Sequence, residues 1–263
     1  MYMKTLILAF TLFSVLNVSS WRNFTTEFKN ELYRAQNAVI TKEKVQVEEQ
    51  LPDKINWPVA FAMQAPFSDW SMPYQEACEE AALILANRYF NNEKVDKKTM
   101  KQEILSLIEW EKEKFGLFTD TSLAEVKIMA KEYFKLKTKI DEDVSIENIK
   151  KQLALGNLVL APAAGRELKN PFFKQPGPLY HMLLIRGYEG DEFIVNDVGI
   201  GRGFGYKYNM KTLINAIHDL PLSTDGAVFR PYDENVDDSI KVGKMKEGKK
   251  RILVVYGRLT DEK

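Results

Sequence analysis

The one cysteine of the chain, Cys78, lies in SMPYQEACEEAALILANRYF, residues 71–90, at the head of a run with helical spacing. A thiol attacks a carbonyl carbon only as the thiolate, so it needs a base or a favourable field. The N-terminal end of a helix supplies such a field, because its unpaired N–H groups and dipole favour negative charge. A buried, inert thiol is the ordinary alternative, since free cysteine packs as a small hydrophobe.

A base must be one of two histidines, His181 and His218. His218, in LINAIHDLPL, falls near the end of a predicted helix, where a cation suits the C-terminus and a structural role suffices. His181 opens HMLLIRGY directly after the loop KQPGPLY, at the mouth of a predicted strand. A base histidine is held in one tautomer by an acceptor. Asp197 ends the next strand, and strand, turn and strand would return it to the end of the sheet where His181 sits. Asn196 is the rival acceptor, because alternation lets only one of the pair face the ring. Asp197-Val198-Gly199 also reads as a plain turn. An oxyanion would take the Cys78 backbone N–H and a side-chain amide upstream, with Gln64 preferred and Gln75 the alternative. This chemistry calls for no cofactor, and two histidines with one cysteine make a zinc site a poor expectation.

The elements that must position these residues are legible as a shift in pattern. From about Gln75 to Tyr89, over 98–115, after Ser122 and from Ser145 to Leu155, apolar residues recur at three and four positions, predicting helices. Ser122 with Glu125 is a capping box, and Gly156 is a helix stop. VAFAMQAP (59–66) reads as a short strand. After Gly156, NLVLAPAAG, YHMLLIRGYEG, DEFIVNDVG and RILVVYG are strand-like, with GYEGDEFIV a hairpin and MKTLINAIHDL (210–220) one more helix. Helices first and strands afterwards predict an α+β domain.

Lys+Arg and Asp+Glu each number 37, so charge gives no reason to expect nucleic acid. MYMKTLILAFTLFSVLNVSS carries one charge, Lys4, then an apolar run and short residues, as a secretory signal peptide does. A buried helix or an uncleaved membrane anchor is the alternative for residues 1–20. The expectation is a signal or anchor over 1–20, a charged segment over 21–54, and one folded domain over 55–263 of an extracytoplasmic protein. A membrane would be met only through an uncleaved N-terminus. One cysteine forms no intramolecular disulfide, so stability must come from the core.

QAPFSDW, PYQEACEEA, APAAGRELKNPFF, GPLYHMLLIRGYE and FIVNDVGIGRGFGYKY, in that order, resemble the bacterial cysteine-peptidase relatives of the leader-cleaving domains of bacteriocin exporters, the peptidase C-thirty-nine-like group. The resemblance spans roughly residues 55–257. It implies a papain-like fold with N-terminal helices packed on an antiparallel sheet. It also implies a nucleophile at Cys78, a base at His181 and an orienting acid at Asp197. In leader-cleaving members the oxyanion glutamine precedes the cysteine by about a turn and a half of helix; here that position holds Met72. The implied activity is hydrolysis of amide bonds in a peptide or protein. A cell-wall peptide amidase with the same three residues, or an inactive peptide-binding relative, is the alternative.

Overall fold

Three runs of the chain are largely apolar, with no polar alternation, and yet sort their side chains to two sides. A computed structural model of the protein describes residues 51–231 and 237–259. In it β3 (Leu158–Ala164), β4 (Tyr180–Glu189) and β7 (Ile252–Arg258) are adjacent antiparallel strands. Leu158, Leu160, Met182, Leu184, Leu253 and Val255 enter one core. Val159, Ala161, Leu183, Ile185, Ile252 and Val254 enter a second. Helices cover both faces, which is why these strands show no polar alternation. Each fully buried Leu or Ile contributes about 1.5–3 kcal/mol.

The sheet has seven strands, ordered β2 (Leu136–Asp141), β7, β3, β4, β5 (Glu192–Asn196) and β6 (Tyr206–Asn209), with β1 (Lys54–Asn56) on the far part of β4. All its pairings are antiparallel. Over the first core lie α1 (Cys78–Phe90), α2 (Lys97–Phe115) and α3 (Leu123–Ile128). Every residue of α1 from Cys78 to Asn87 is buried, as befits a helix enclosed by its neighbours. The second core is closed by α4 (Ile146–Ala154) and α5 (Met210–Ala216). The fold is α+β, helices on an antiparallel sheet, as the sequence predicts.

Local signals account for most boundaries. Asp96 accepts from Thr99 N–H at 2.7 Å and caps α2, and Gly116 closes it in the left-handed region. Ser122 and Glu125 form the expected capping box. Ser145 caps α4, and Gly156 follows it at φ 84°.

Three expectations are corrected. Residues 59–66 form no strand; the chain is held instead by single bonds, such as Gln64 N–H to the Val198 carbonyl at 3.0 Å. The helix predicted from Gln75 begins at Cys78, after a 3-10 turn over Tyr74–Glu76. The last predicted helix stops at Ala216, because His218 N–H bonds the Pro162 carbonyl at 3.1 Å and pulls the chain back to β3. His218 is therefore no helix-end cation. Its Nδ1 lies 2.9 Å from the Gly248 carbonyl, and burial lowers its pKa. The expected signal or anchor and the charged segment as far as residue 50 lie outside the described residues. Among the described residues no helix is long and apolar enough to cross a membrane.

Candidate active site

Cys78 is the first residue of α1, so its backbone N–H is one of the four that lack an intrahelical acceptor. Its side chain is not set up as a bare thiolate. The S–H donates to Oε2 of Glu79 at 2.8 Å, and burial pushes the thiol pKa well up, reinforced by Glu79 and Glu80. The Met182 backbone N–H, one residue past His181, pulls the other way. The helix-end field expected to lower this thiol is outweighed by desolvation and the two glutamates after it.

Burial, with the charges of Glu80 and Asp120, also drives the Glu79 carboxyl well above the usual range. Its Oε1 accepts from Thr121 N–H at 2.7 Å, and Tyr180 donates its hydroxyl to the Thr121 carbonyl at 3.1 Å. Glu79 thus joins the cysteine to the loop that carries Asp120. Deeper in the core, Glu80 and Glu111 are buried, their carboxyl oxygens have no hydrogen-bond partner among the described residues, and the charge of Glu111 acts with burial to raise Glu80. Burial, with the charge of Glu79, pushes Glu111 up to about 9.

His181 is buried near the start of β4, and its Nε2 lies 2.8 Å from Oδ1 of Asp197. The carboxylate is fully enclosed. Burial acts to raise its pKa. The facing His181 and bonds from His181, Tyr208 and the Gly199 N–H outweigh that and hold it below the ordinary value. Nε2–H donating to Asp197 leaves Nδ1 as the ring's free acceptor.

The choice between Asn196 and Asp197 is made by a bulge. β4 and β5 are joined at Gly190-Asp191, pairing Glu189 with Glu192 and Gly187 with Ile194, but then Ile185 with Val195. Arg186 is the extra residue, and one extra residue reverses the parity of everything beyond it. Continuing the register puts Asp197 on the face of His181 and turns Asn196 away. Asn196 accordingly accepts from Arg186 Nη1 at 3.2 Å and donates to the Ala60 carbonyl at 2.9 Å.

Cys78, His181, Gln64 and Gln75 all line one cavity of about 920 Å³, with Trp70 and Phe172 also on its wall. Gln64 is buried and its Nε2 donates to the carbonyls of Tyr74 at 3.0 Å and Gln75 at 3.1 Å. Its Oε1 has no hydrogen-bond partner. Both amide hydrogens are thus engaged. Glu76, on the same wall, is pushed up to about 7 by burial and by Asp120, against a bond with Gln75.

Four residues not singled out by the sequence complete the surroundings. Asn170 Nδ2 lies 3.2 Å from Oδ2 of Asp197 and 2.6 Å from the Tyr208 hydroxyl, and that hydroxyl donates to the same Oδ2 at 2.7 Å. Phe173 stands edge-on to the imidazole at 5.3 Å. Gly199 passes so close to the ring that a Cβ would fall 2.8 Å from His181 Cε1. All four, Asn170, Phe173, Gly199 and Tyr208, lie within the motifs quoted above, but their roles depend on contacts across the sheet.

These positions can be set against known proteins. Comparison with curated proteins gives no match. Among solved structures, the chain is similar to a C39-like peptidase from Bacillus anthracis, at 15% identity and TM-score 0.47 over 80% of this chain and 100% of that one. It is also similar to xylellain, a cysteine protease from Xylella fastidiosa, at 15% identity and TM-score 0.36 over 63% and 82%. The family model matches residues 54–216, more than half of the chain. The chain belongs to the Peptidase_C39 like family.

Proposed function

We propose that the protein is an exported cysteine peptidase that hydrolyses peptide bonds through Cys78, His181 and Asp197. The observation that carries this reading is the cavity shared by Cys78 and His181, with Nε2 of the ring tied to Asp197 and Nδ1 left to accept a proton. His181 Nδ1 takes the thiol proton as sulfur attacks the substrate carbonyl carbon. The tetrahedral intermediate collapses to a thioester as the ring returns that proton to the leaving amine. Water, deprotonated by the same nitrogen, then cleaves the thioester and restores the thiol.

The raised thiol pKa makes this a concerted proton transfer, unlike attack by a pre-formed thiolate. Oxyanion stabilisation comes from the Cys78 N–H and from Gln64, once Gln64 exchanges its longer bond, to the Gln75 carbonyl, for the substrate oxygen. Trp70 and Phe172 offer apolar wall to a peptide's side chains. Export follows from the character of residues 1–20.

Two observations favour a second reading, a peptide-binding protein without turnover: both amide hydrogens of Gln64 are engaged and the thiol is held protonated. The deciding experiment is peptide mapping by mass spectrometry of a mixed peptide library, with Cys78→Ala as blank, alongside a thiol-directed probe. New peptide ends that need Cys78 establish the peptidase. Probe labelling that is equal in parent and Cys78→Ala protein, or peptide retention without cleavage, overturns it. A parallel incubation with purified peptidoglycan separates a cell-wall substrate from other peptides.

A further inference from the structure

The helix α6 (Asp238–Met245) places a lysine where its amphipathic spacing calls for a core residue. Its two buried residues are Lys241 and Met245, four apart and so on one face. Met245 packs into the first core. Lys241 is 7% exposed and lines the cavity that holds Cys78 and His181.

Among the described residues, no hydrogen-bond acceptor and no carboxylate forms a bond or ion pair with the Lys241 ammonium. The acids of its own helix are engaged elsewhere. Asp237 accepts from Ser239 N–H at 2.8 Å, and Asp238 pairs with Arg166 at 2.6 Å. The helix is fixed to the cavity rim from both ends. Arg166 also donates to the carbonyl of Gly177, a lining residue, and Lys246 pairs with Glu167 at 2.6 Å. The charge of Asp237 reaches Lys241, but no acceptor among the described residues bonds the ammonium, so it is available to an anion that enters the cavity. Nothing in the core needs it there.

We infer that Lys241 is an anion-recognising residue of the cleft, which binds a carboxylate of the peptide held there. The carboxylate is either the free C-terminus of the peptide or an Asp or Glu side chain near the scissile bond. Lys241 lies outside residues 54–216, the part matched by the family model. Its location in the cleft rests on the proposed reading of that cavity, but carboxylate binding needs no turnover.

The test uses full-length Cys78→Ala protein and pools of mixed-sequence hexapeptides. In one comparison Glu or Gln is fixed at each position in turn, and in the other the C-terminus is free or amidated. Binding is followed through Trp70 fluorescence and calorimetry. At least one carboxylate pool binds tenfold or more tighter than its amide counterpart, and which comparison shows it identifies the source of the carboxylate. Lys241→Met reduces the preference to twofold or less, and Lys241→Arg keeps most of it. Without peptide, Lys241→Met melts at the same temperature or higher. Equal binding of acid and amide pools, no binding by any pool, a preference that survives Lys241→Met, or a drop in melting temperature for Lys241→Met each overturns the assignment. If carboxylate preference holds while the parent cleaves nothing, the peptidase reading falls and this one stands. Cleavage indifferent to carboxylates has the opposite meaning.

Discussion

The sulfur of Cys78 lies 2.8 Å from Oε2 of the residue that follows it, Glu79, and the two groups hold their protons together in a buried site. Either group in charged form would raise the pKa of the other. The thiol therefore rests protonated at neutral pH. Alkylation of Cys78 by iodoacetamide should be slow at pH 7 and accelerate with pH beyond the range of an ordinary thiol. Glu79→Gln keeps an acceptor for Thr121 N–H but can never carry a charge that opposes the thiolate. Its alkylation at pH 7 should be faster by about tenfold or more, the equivalent of about one pKa unit. Stopped-flow or mass-spectrometric labelling against pH measures it, and an unchanged profile would refute the coupling.

Gly199 offers a test of the ring position. A methyl at residue 199 would sit 2.8 Å from His181 Cε1 and 3.4 Å from Oδ1 of Asp197, so the imidazole must move. Gly199→Ala should reduce kcat/KM by roughly 100-fold, the usual effect of about 1 Å of misplacement. Melting temperature should change little. Activity equal to the parent would show that the ring position does not matter.

The acceptor side of the dyad can be probed at Tyr208, whose hydroxyl donates to Oδ2 of Asp197 at 2.7 Å. Tyr208→Phe removes a buried bond to a charged group and should destabilise the fold by about 1.5–3 kcal/mol in urea unfolding. Asp197→Asn should preserve more of the fold and reduce kcat by about 10²–10⁴-fold, because the ring loses its tautomer control. The two effects together distinguish support of the carboxylate from its action on the histidine.

Glu111 gives a prediction about pH and stability. Its folded pKa of about 9 stands above the ordinary value of 4.5, so between those values the native state binds more protons than the unfolded chain. Stability from this group is fully present below 4.5 and is lost as pH rises toward 9. Glu111→Gln should therefore flatten the decline. It should be close to neutral near pH 4.5 and stabilising by about 1–4 kcal/mol at pH 9. Thermal melts from pH 4.5 to 9 check this, and a parent protein whose stability rises across that interval contradicts it.

Period and punctuation revealed most of the architecture. The capping box at Ser122, the stop at Gly156 and the apolar runs of β3, β4 and β7 depend on local chemistry alone. The hairpin with its turn before Asp191 was equally readable, and so was the chance that His181 meets an acid sixteen residues on. β2, with its sequence LKTKID, and the short β6 were not, because edge strands with exposed lysines lack a distinctive pattern. The raised thiol is not legible in the sequence, because local spacing shows the helix-end field and not the enclosure around Glu79. Asn170, Tyr208 and Gly199 meet the dyad only through tertiary contacts, which no spacing encodes.

Arg186 carries a consequence well beyond its own place in the sheet. Pairing that one residue in the ladder, instead of letting it bulge, would leave the turn at Gly190 and the composition of both strands untouched. It would nonetheless present an amide to His181 where a carboxylate now stands, and a neutral neighbour cannot steady a positive imidazole. The chain's acid–base chemistry thus hangs on whether an odd or even number of residues in one strand joins the ladder, an address that can be rewritten without touching any residue in the cleft.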